Sequence, residues 1–531
     1  MANLIDITSN ILSQNTICFD TRNINPEQIS PPFEDAKFGI LNFTAVNTRE
    51  TSEELDFLFV VDCSGSMSDP CSDGRSKMQH IIHTLKNMIL FFNEHPNTKI
   101  NITINAFDTK IYPIVTRTKI TDENLNEIIY KIEKIAPRGS TNIEFALKKS
   151  AEEINRLKSQ FPSSIINHIF MTDGEATDGS RDITILQTNV IPDITNAFIG
   201  FGVEHDASLL NGISSVGKSG YYFIDKLESA GLVYGEILHG ILYKLITDSE
   251  IIIENGLVYN FKTNTWVDSL QIGDIVSEAN KTYNIISSNP DECTVNIKGC
   301  VGDLVILFPS TQIENTDLST QIYRQRTLQL LYEANDFCNR KRAYDNSKDS
   351  GSFIYNRNDP AFRAFEEEKK VLKLKFSNFL EEIKKYMTDN HLDEDRVLKN
   401  LCDDIYICYR TFGTKFGTMY CTARQTSQGT QRQYTASSIG FTEDLYEPNR
   451  KIRQLNARNH QLNRQTNAVQ FDGIDDDFEL PILQHTMSDF ADTPYLTPQA
   501  SQLMREISRP IDHNNDNEYN EEVSIYTQEI N

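Results

Sequence analysis

Short oxygen-bearing side chains are concentrated in one stretch of the sequence, FVVDCSGSM at 59–67. Asp62, Ser64 and Ser66 alternate with small residues directly after an apolar run, and Gly65 allows the chain to turn tightly between them. Three such side chains on one turn can converge on a hard cation. The stretch therefore predicts a divalent-metal site at the end of a buried strand.

Two further oxygen donors, Thr141 and Asp173, stand at comparable places later in the chain. Thr141 lies in PRGSTNIEFAL, before a helical pattern, and Asp173 directly follows the apolar run IINHIFMT at 165–172. Because the carboxyl ends of parallel strands meet at one edge of a sheet, we expect all three loops to meet there. Hydroxyl and carboxylate oxygens, completed by water, suit Mg²⁺ or Mn²⁺ and leave coordination positions open for a partner's carboxylate.

Alternating strands and helices are needed to position these five residues. Near-continuous apolar runs predict strands buried on both faces, at 55–62, 100–107, 165–172 and 195–202. Periodic apolar patterns predict helices at 123–135, 142–157 and 227–246. KIYPIV at 110–115 contains Pro113 and is expected at a sheet edge. Residues 54–246 are thus predicted to form an α/β domain with a doubly wound, mostly parallel, Rossmann-like sheet.

The order and spacing of these motifs resemble the von Willebrand factor A (VWA) family. The D-x-S-x-S turn, the threonine in a G-S-T-N loop and the T-D-G after a later strand match its metal ion-dependent adhesion site. The resemblance implies that Ser64, Ser66 and Thr141 bind the metal directly. It also implies that Asp62 and Asp173 act mainly through water and as charge anchors.

Other residues near the motif are interpreted as structural. Asp69 and Asp73 could indicate a second cation, but Asp-Pro and Asp-Gly turns explain them better. His80 and His83 lie on the first helix of the domain without an adjacent glutamate or a third ligand. Asp206 is interpreted as a helix N-cap.

The segments that flank the VWA-like region are rich in strand-forming residues. Residues 247–315 contain short apolar runs separated by turns, which predicts an antiparallel, sandwich-like β-region. Residues 1–53 also have strand character, and we expect them to join that region. Apolar positions spaced by three or four predict a small helical bundle over 316–412.

Residues 413–531 are predicted to be a low-complexity, largely disordered acidic tail. The segment 441–531 alone contains 17 acidic and 7 basic residues, with few sustained apolar periods. Within the tail, 493–508 carries apolar residues at helical spacing and could form a short helix.

The regions outside the VWA-like domain resemble the VWA/Hedgehog-intein-like family, which includes protist and giant-virus proteins and is related to plant VWA ubiquitin ligases. The resemblance depends on Ile272-Gly273-Asp274, the helices over 318–410 and the segment Thr422–Gly429. Two departures limit what it implies. The chain has no C-x₂-C pairs for a zinc RING, and 248–313 contains no histidine for intein chemistry.

Composition narrows the class of function and the compartment. The chain has 531 residues and a net charge of -24, which argues against nucleic-acid and anionic-membrane partners. The N-terminus lacks the pattern of a secretory signal, and no apolar stretch is long enough to span a membrane. Nine scattered cysteines fit reduced thiols, so we expect an intracellular protein, cytoplasmic or, if viral, in the virion.

These observations leave one preferred function and two alternatives. The preferred one is a non-enzymatic, metal-dependent module that binds a protein partner presenting Asp or Glu. The alternatives are a substrate-recruiting component of a ubiquitin-ligase-like complex, and a structural or virion scaffold protein in which the metal only stabilises the fold. No phosphate-binding, nucleophile-elbow or zinc motif supports an enzyme.

Overall fold

A computed structural model describes most of the chain in two compact units. The described residues are 11–20, 29–48, 50–51, 53–71, 74–95, 99–202, 205–224, 230–314, 316–348, 359–413, 417–434 and 493–509. One unit draws on 49–205, 212–243 and the segment from 498, and the other on 1–48, 206–211 and 244–497.

Strands and helices are numbered here in chain order. The strands are β1 (Leu12–Phe19), β2 (Lys37–Ala45), β3 (Glu54–Asp62), β4 (Lys99–Phe107), β5 (Ile111–Lys119), β6 (Ile165–Thr172), β7 (Thr195–Phe201), β8 (Ser219–Ile224), β9 (Lys244–Glu254), β10 (Leu257–Asn260), β11 (Thr265–Val267), β12 (Ser269–Val276), β13 (Asn280–Ser287), β14 (Thr294–Val301), β15 (Leu304–Pro309) and β16 (Thr311–Gln312). The α-helices are α1 (Lys77–Glu94), α2 (Leu125–Glu133), α3 (Ile143–Gln160), α4 (Ile183–Gln187), α5 (Ala207–Ile213), α6 (Ala230–Leu242), α7 (Ser319–Lys348), α8 (Pro360–Asp389), α9 (Arg396–Thr411), α10 (Gly417–Thr430) and α11 (Pro498–Ile507).

The first unit contains a six-stranded sheet in the order β5-β4-β3-β6-β7-β8. All neighbours are parallel except β5, which pairs antiparallel with β4. β5 lies at the edge of the sheet, as expected for a strand that contains Pro113. β3 lies near the centre and is buried from Leu55 to Asp62 because its apolar side chains are covered on both faces. The predicted doubly wound α/β fold is confirmed.

Capping residues set where the helices beside the metal-site loops begin. Ser76 and Gln79 form a capping box, in which each side chain bonds the other residue's backbone N–H at the start of α1. The side chain of Asn142 accepts the N–H of Phe145 and begins α3. The helix expected at 227–246 ends earlier, at Leu242, because β9 begins at Lys244 and pairs with β12 and β14.

The second unit contains two β-sheets that share a core. The six-stranded sheet has the order β11-β10-β13-β2-β1-β16, and the four-stranded sheet has the order β12-β9-β14-β15. β2 pairs antiparallel with β13 over eight residue pairs, so the N-terminal strands complete a sheet begun by residues much later in sequence. Apolar residues from both sheets fill one core, among them Phe43, Ile251 and Ile297.

The same unit contains the long helices α7, α8 and α9, which all lie within the range 316–412 predicted to be helical. Their packing is largely aromatic where Phe412 meets Phe337 and Phe376, with ring centroids 4.8 and 5.8 Å apart. α8 begins at a proline after Asp359, whose side chain caps the N–H of Ala361.

The predicted tail begins too early in the sequence. Residues 417–430 form α10, and most of its polar side chains are buried. Arg424 is fully buried and donates to Asp404 over 2.7 Å, and Thr422 donates to the side chain of Asn335 over 2.7 Å. The polar composition suggested exposure, but partners distant in sequence satisfy these groups. The short helix considered at 493–508 is α11, and residues 414–416, 435–492 and 510–531 of the expected tail lie outside the described residues.

Candidate metal centre

The loop after β3 folds around the carboxylate of Asp62. Asp62 is the last residue of the strand and is fully buried. Its Oδ1 accepts the backbone N–H of Ser64 over 2.7 Å, and its Oδ2 accepts the hydroxyl of Thr172 over 2.6 Å. Burial raises the pKa of Asp62 to about 6, against the lowering effect of these hydrogen bonds, and the nearby charge of Asp173 raises the pKa further.

Ser64, Ser66 and Asp173 form a connected row of oxygen atoms. The hydroxyl oxygens of Ser64 and Ser66 are 3.1 Å apart, and Ser66 donates to Oδ1 of Asp173 over 2.8 Å. Ser64 and Asp173 are buried, whereas Ser66 is half-buried. The row is therefore buried at both ends and accessible at Ser66, its middle member.

Thr141 reaches the same place from the loop before α3. Its backbone N–H donates to the hydroxyl of Thr177 over 2.9 Å, and its carbonyl accepts the N–H groups of Thr177 and Asp178. A Cβ built on Gly174 would lie 3.7 Å from both the Ser66 and the Thr141 hydroxyl oxygens. Thr141 and Ser66 thus border one small space beside Gly174.

Backbone hydrogen bonds join the loop after β3 to the loop before α3. Gly65 donates to the carbonyl of Gly139 over 3.1 Å, and Arg138 donates to the carbonyl of Cys63 over 2.6 Å. Gly139 has a φ of +65°, and a Cβ there would lie 2.6 Å from a carboxylate oxygen of Asp108. A glycine is therefore required where these two loops cross.

The structure brings all five predicted residues to one edge of the sheet. The set contains three neutral hydroxyls and two carboxylates, all hard oxygen donors, which fits Mg²⁺ or Mn²⁺. Among the described residues, no group of three or more His, Cys, Asp or Glu side chains is placed to hold a metal ion. A metal here would consequently depend on the hydroxyl groups.

Three residues beside the site were missed by the sequence interpretation. Thr172 bonds Asp62, Asp108 accepts the phenol of Tyr112 over 3.1 Å, and Lys77 donates to Oδ2 of Asp173 over 2.6 Å. Thr172 and Asp108 stand at the carboxyl ends of β6 and β4, so the rule that found Asp62 and Asp173 could have found them. Lys77 is the first residue of α1, and the preceding capping sequence could have indicated its place near the site.

Asp69, His83 and Asp206, which were interpreted as structural residues, each contact another group of the chain or cap a helix. Asp69 is exposed and lies 3.6 Å from the ammonium group of Lys77, while Asp73 lies outside the described residues. Nε2 of His83 lies 2.9 Å from the carbonyl of Arg509. Asp206 accepts the N–H of Leu209 at the start of α5, which is the N-cap arrangement.

The fold and this arrangement of loops define the class of the domain. Residues 56–234 match the family model of the von Willebrand factor type A domain, so the chain contains a VWA domain. Domains of this class are commonly metal-dependent protein-interaction modules, and they typically bind a divalent metal at the metal ion-dependent adhesion site.

Curated relatives match about a third of the chain. Inter-alpha-trypsin inhibitor heavy chain H2 from Homo sapiens is 30% identical over 171 residues, covering 28% of this chain and 16% of the relative. The von Willebrand factor A domain-containing protein DDB_G0285975 from Dictyostelium discoideum is 30% identical over 187 residues, covering 34% of this chain and 18% of the relative. The matched segment thus spans under a fifth of each relative's length.

Solved structures are similar at low sequence identity. The ArnB paralog VWA2 from Sulfolobus acidocaldarius has a TM-score of 0.44 at 12% identity, covering 78% of this chain and 98% of that one. Proximal thread matrix protein 1 from the mussel byssus, whose metal ion-dependent adhesion site (MIDAS) motif is occupied by zinc, has a TM-score of 0.29 at 16% identity. The match covers 40% of this chain and 52% of that one.

One sequence interpretation lies beyond the residues that the family model matches. The family model ends at residue 234, before Ile272–Asp274 and Thr422–Gly429, so the VWA/Hedgehog-intein-like resemblance stays a prediction.

In the part of the chain that the structure describes, no helix is both long enough and apolar enough to cross a membrane.

Proposed function

We propose that the VWA domain is a non-enzymatic module that binds Mg²⁺ or Mn²⁺ and, through that ion, a carboxylate of a protein partner. The observation that carries the proposal is the convergence of oxygen atoms from three loops at the carboxyl edge of β3 and β6. Ser64 and Ser66 are 3.1 Å apart, Ser66 bonds Asp173, and Thr141 shares the space beside Gly174.

The five residues divide into two roles in this proposal. Ser64, Ser66 and Thr141 would hold the ion through neutral hydroxyls, while Asp62 and Asp173 would act mainly through water and as charge anchors. Neutral ligands leave most of the positive charge on the ion, so a carboxylate from outside gains a strong local interaction. The partner would therefore present an Asp or Glu at the half-buried side, near Ser66.

The cysteine inside the motif supports a non-enzymatic role. Cys63 lies between two of the proposed metal-site residues, but its side chain is fully buried. Burial raises the pKa of the Cys63 thiol to about 11, against the lowering effect of Arg138, so the thiol is protonated at neutral pH. A thiolate nucleophile is not available at this position.

Metal binding is tested by titration calorimetry of the full chain with MgCl₂ and MnCl₂. We expect Asp62→Ala to weaken binding at least about tenfold, because it removes one of two buried anionic charges near the ion. Asp193→Ala is the matched control, since Asp193 is an exposed residue of the same domain that pairs with Lys158. Equal affinity in the wild type and Asp62→Ala would overturn the assignment of the site.

Partner binding is tested by capturing proteins from a native extract in Mg²⁺ and repeating the capture in EDTA. A carboxylate contact to a metal in a partly dry interface should be a hot spot, worth about 2 kcal/mol or more. Thr141→Ala should therefore reduce the free energy of partner binding, followed by capture, more than the free energy of unfolding, followed by the melting temperature. Thr188→Ala, at an exposed threonine, should not weaken capture. If the same partners bind undiminished in EDTA and in Thr141→Ala, the metal is structural and a scaffold role replaces this proposal.

A further inference from the structure

Lys77 forms a largely buried ion pair inside the proposed metal site. Its ammonium nitrogen lies 2.6 Å from Oδ2 of Asp173 and 3.6 Å from a carboxylate oxygen of Asp69. The Lys77 side chain is 13% exposed and that of Asp173 is 0% exposed, whereas Asp69 is 55% exposed. Of these two carboxylates, Asp173 lies closer to the ammonium group and is buried, so solvent screens its interaction with Lys77 only weakly.

The helix itself does not favour a positive charge at this position. Lys77 is the first residue of α1, the Ser76–Gln79 capping box fixes the start of that helix, and Lys77 N–H donates to the carbonyl of Asp69 over 3.0 Å. The positive end of the helix dipole lies there, so a cation in the first turn is unfavourable. The pairing with Asp173 offsets that cost.

Both oxygens of Asp173 are already engaged by donors. Oδ1 accepts the hydroxyl of Ser66 and Oδ2 accepts Lys77. The two buried carboxylates, Asp62 and Asp173, give the site a charge of −2, and the ammonium group reduces it to −1. A divalent ion that approaches Ser66 therefore meets less negative charge than the five-residue motif implies.

We propose that Lys77 is a built-in counter-ion that competes with the divalent cation for Asp173 and so sets the concentration at which the site is filled. This inference rests on the proposed metal-binding function. Binding of the ion draws Asp173 away from Lys77 and releases the ammonium group toward solvent. The competition makes loading of the site, and hence partner binding, responsive to the free cation concentration.

The first test compares metal affinities by calorimetry of the full chain with MgCl₂ and MnCl₂. Lys77→Met should bind both ions about tenfold more tightly than the wild type, because it keeps the length of the side chain and removes the competing charge. Lys86→Met is the matched control, since Lys86 lies on the same helix and pairs with Glu133 at the surface over 2.6 Å. Its affinity should equal that of the wild type.

The second test follows the lysine in the wild-type protein. Acetylation of Lys77 by an N-hydroxysuccinimide ester, measured by mass spectrometry, should accelerate when MgCl₂ saturates the site, while acetylation of Lys86 stays constant. This test does not depend on how well Lys77→Met folds. An unchanged rate at saturating metal would overturn the inference.

The calorimetric outcomes separate the inference from the function it rests on. Equal affinity in the wild type and Lys77→Met overturns the competition and leaves metal binding intact. Weaker binding by Lys77→Met also overturns it, because Lys77 would then be a positioning residue that orients Asp173. Failure of the wild type and of both lysine variants to bind either ion overturns the proposed function, and the competition with it.

Discussion

Burial shifts the pKa values of two side chains of the VWA domain in opposite directions. It raises the pKa of Asp62 to about 6 and lowers the pKa of His168 to about 4, because a buried site disfavours the charged form of either group. Asp62 lies at the sheet edge among hydroxyl donors, where a cation could stabilise its charge. His168 lies inside β6 between aromatic rings, which do not offset its charge in a comparable way.

His168 should make the VWA domain less stable in mild acid. The pKa of His168 falls from 6.5 to about 4 on folding because burial outweighs the hydrogen bond with Asn196. Below pH 6.5 the unfolded chain takes up a proton that the folded domain does not, so stability present above pH 6.5 is lost as the pH falls toward 4. Between pH 7 and pH 5 the loss is about 2 kcal/mol.

The measurement is the free energy of unfolding from urea denaturation, with amide exchange in β6 assigning the transition to this domain. His168→Gln should flatten the dependence on pH between 7 and 5, because glutamine does not titrate. His391→Asn, which replaces an exposed histidine at a φ of 56° that asparagine also adopts, should keep the wild-type slope. An unchanged slope in His168→Gln would show that another group causes the acid sensitivity.

Among the helices, α11 packs against α6 through glycines that permit close approach. A Cβ on Gly235 would lie 2.6 Å from the Cα of Met504, and a Cβ on Gly231 would lie 2.4 Å from the hydroxyl of Ser508. Asn87 of α1 donates to the carbonyl of Ile507 over 2.8 Å, which satisfies a group at the end of α11. The last described helix is thus an integral part of the VWA unit.

Gly235→Ala and Gly240→Ala should have opposite effects although both replace a glycine of the same helix. A Cβ added at Gly240 would meet no atom of the described residues within 4 Å, so alanine there stabilises α6 by about 0.5–1 kcal/mol. Gly235→Ala presses on the backbone of α11 and should cost about 1–3 kcal/mol.

Thermal unfolding and amide exchange of 498–509 measure the two effects. Gly235→Ala should speed exchange in α11, whereas Gly240→Ala should leave it protected. Slow exchange of α11 in Gly235→Ala, together with a raised melting temperature, would mean that the close approach does not hold this helix in place.

In the molecule as a whole, the β-sandwich is assembled from distant parts of the chain. Phe43 of β2 is fully buried and stacks on Tyr283 of β13 with ring centroids 6.1 Å apart. The two strands are also joined by antiparallel pairing that places Phe43 opposite Lys281. Strands after residue 244 therefore depend on strands before residue 48.

Phe43→Ala should destabilise the β-sandwich by about 3–5 kcal/mol, because it leaves a cavity in the core. Amide exchange should accelerate in β13 and β14 as well as in β2, while the VWA sheet keeps its protection. Thr44→Ala, at the next and only half-buried position of β2, should change neither. Faster exchange confined to β2 would contradict this interdependence.

The local pattern of the sequence determined the VWA fold and the candidate metal residues. Buried parallel strands produce apolar runs, and the residues after such runs share one edge of the sheet, so Asp62 and Asp173 could be placed together without coordinates. The fold class is confirmed, and the ion that these residues are predicted to hold stays a prediction. Strand character around Phe43 was also visible, because a high content of strand-forming residues is a local property.

Only the tertiary structure decided which polar residues are buried and which charges meet. The segment 417–430 has the composition of an exposed chain, yet Arg424 is buried because Asp404 lies opposite it on another helix. The capping sequence could have placed Lys77 near the site, but it did not identify Asp173, 96 positions later in sequence, as the partner of Lys77. Composition and periodicity report what one segment prefers by itself, whereas the partner that offsets the cost of burying a charge comes from elsewhere in the chain.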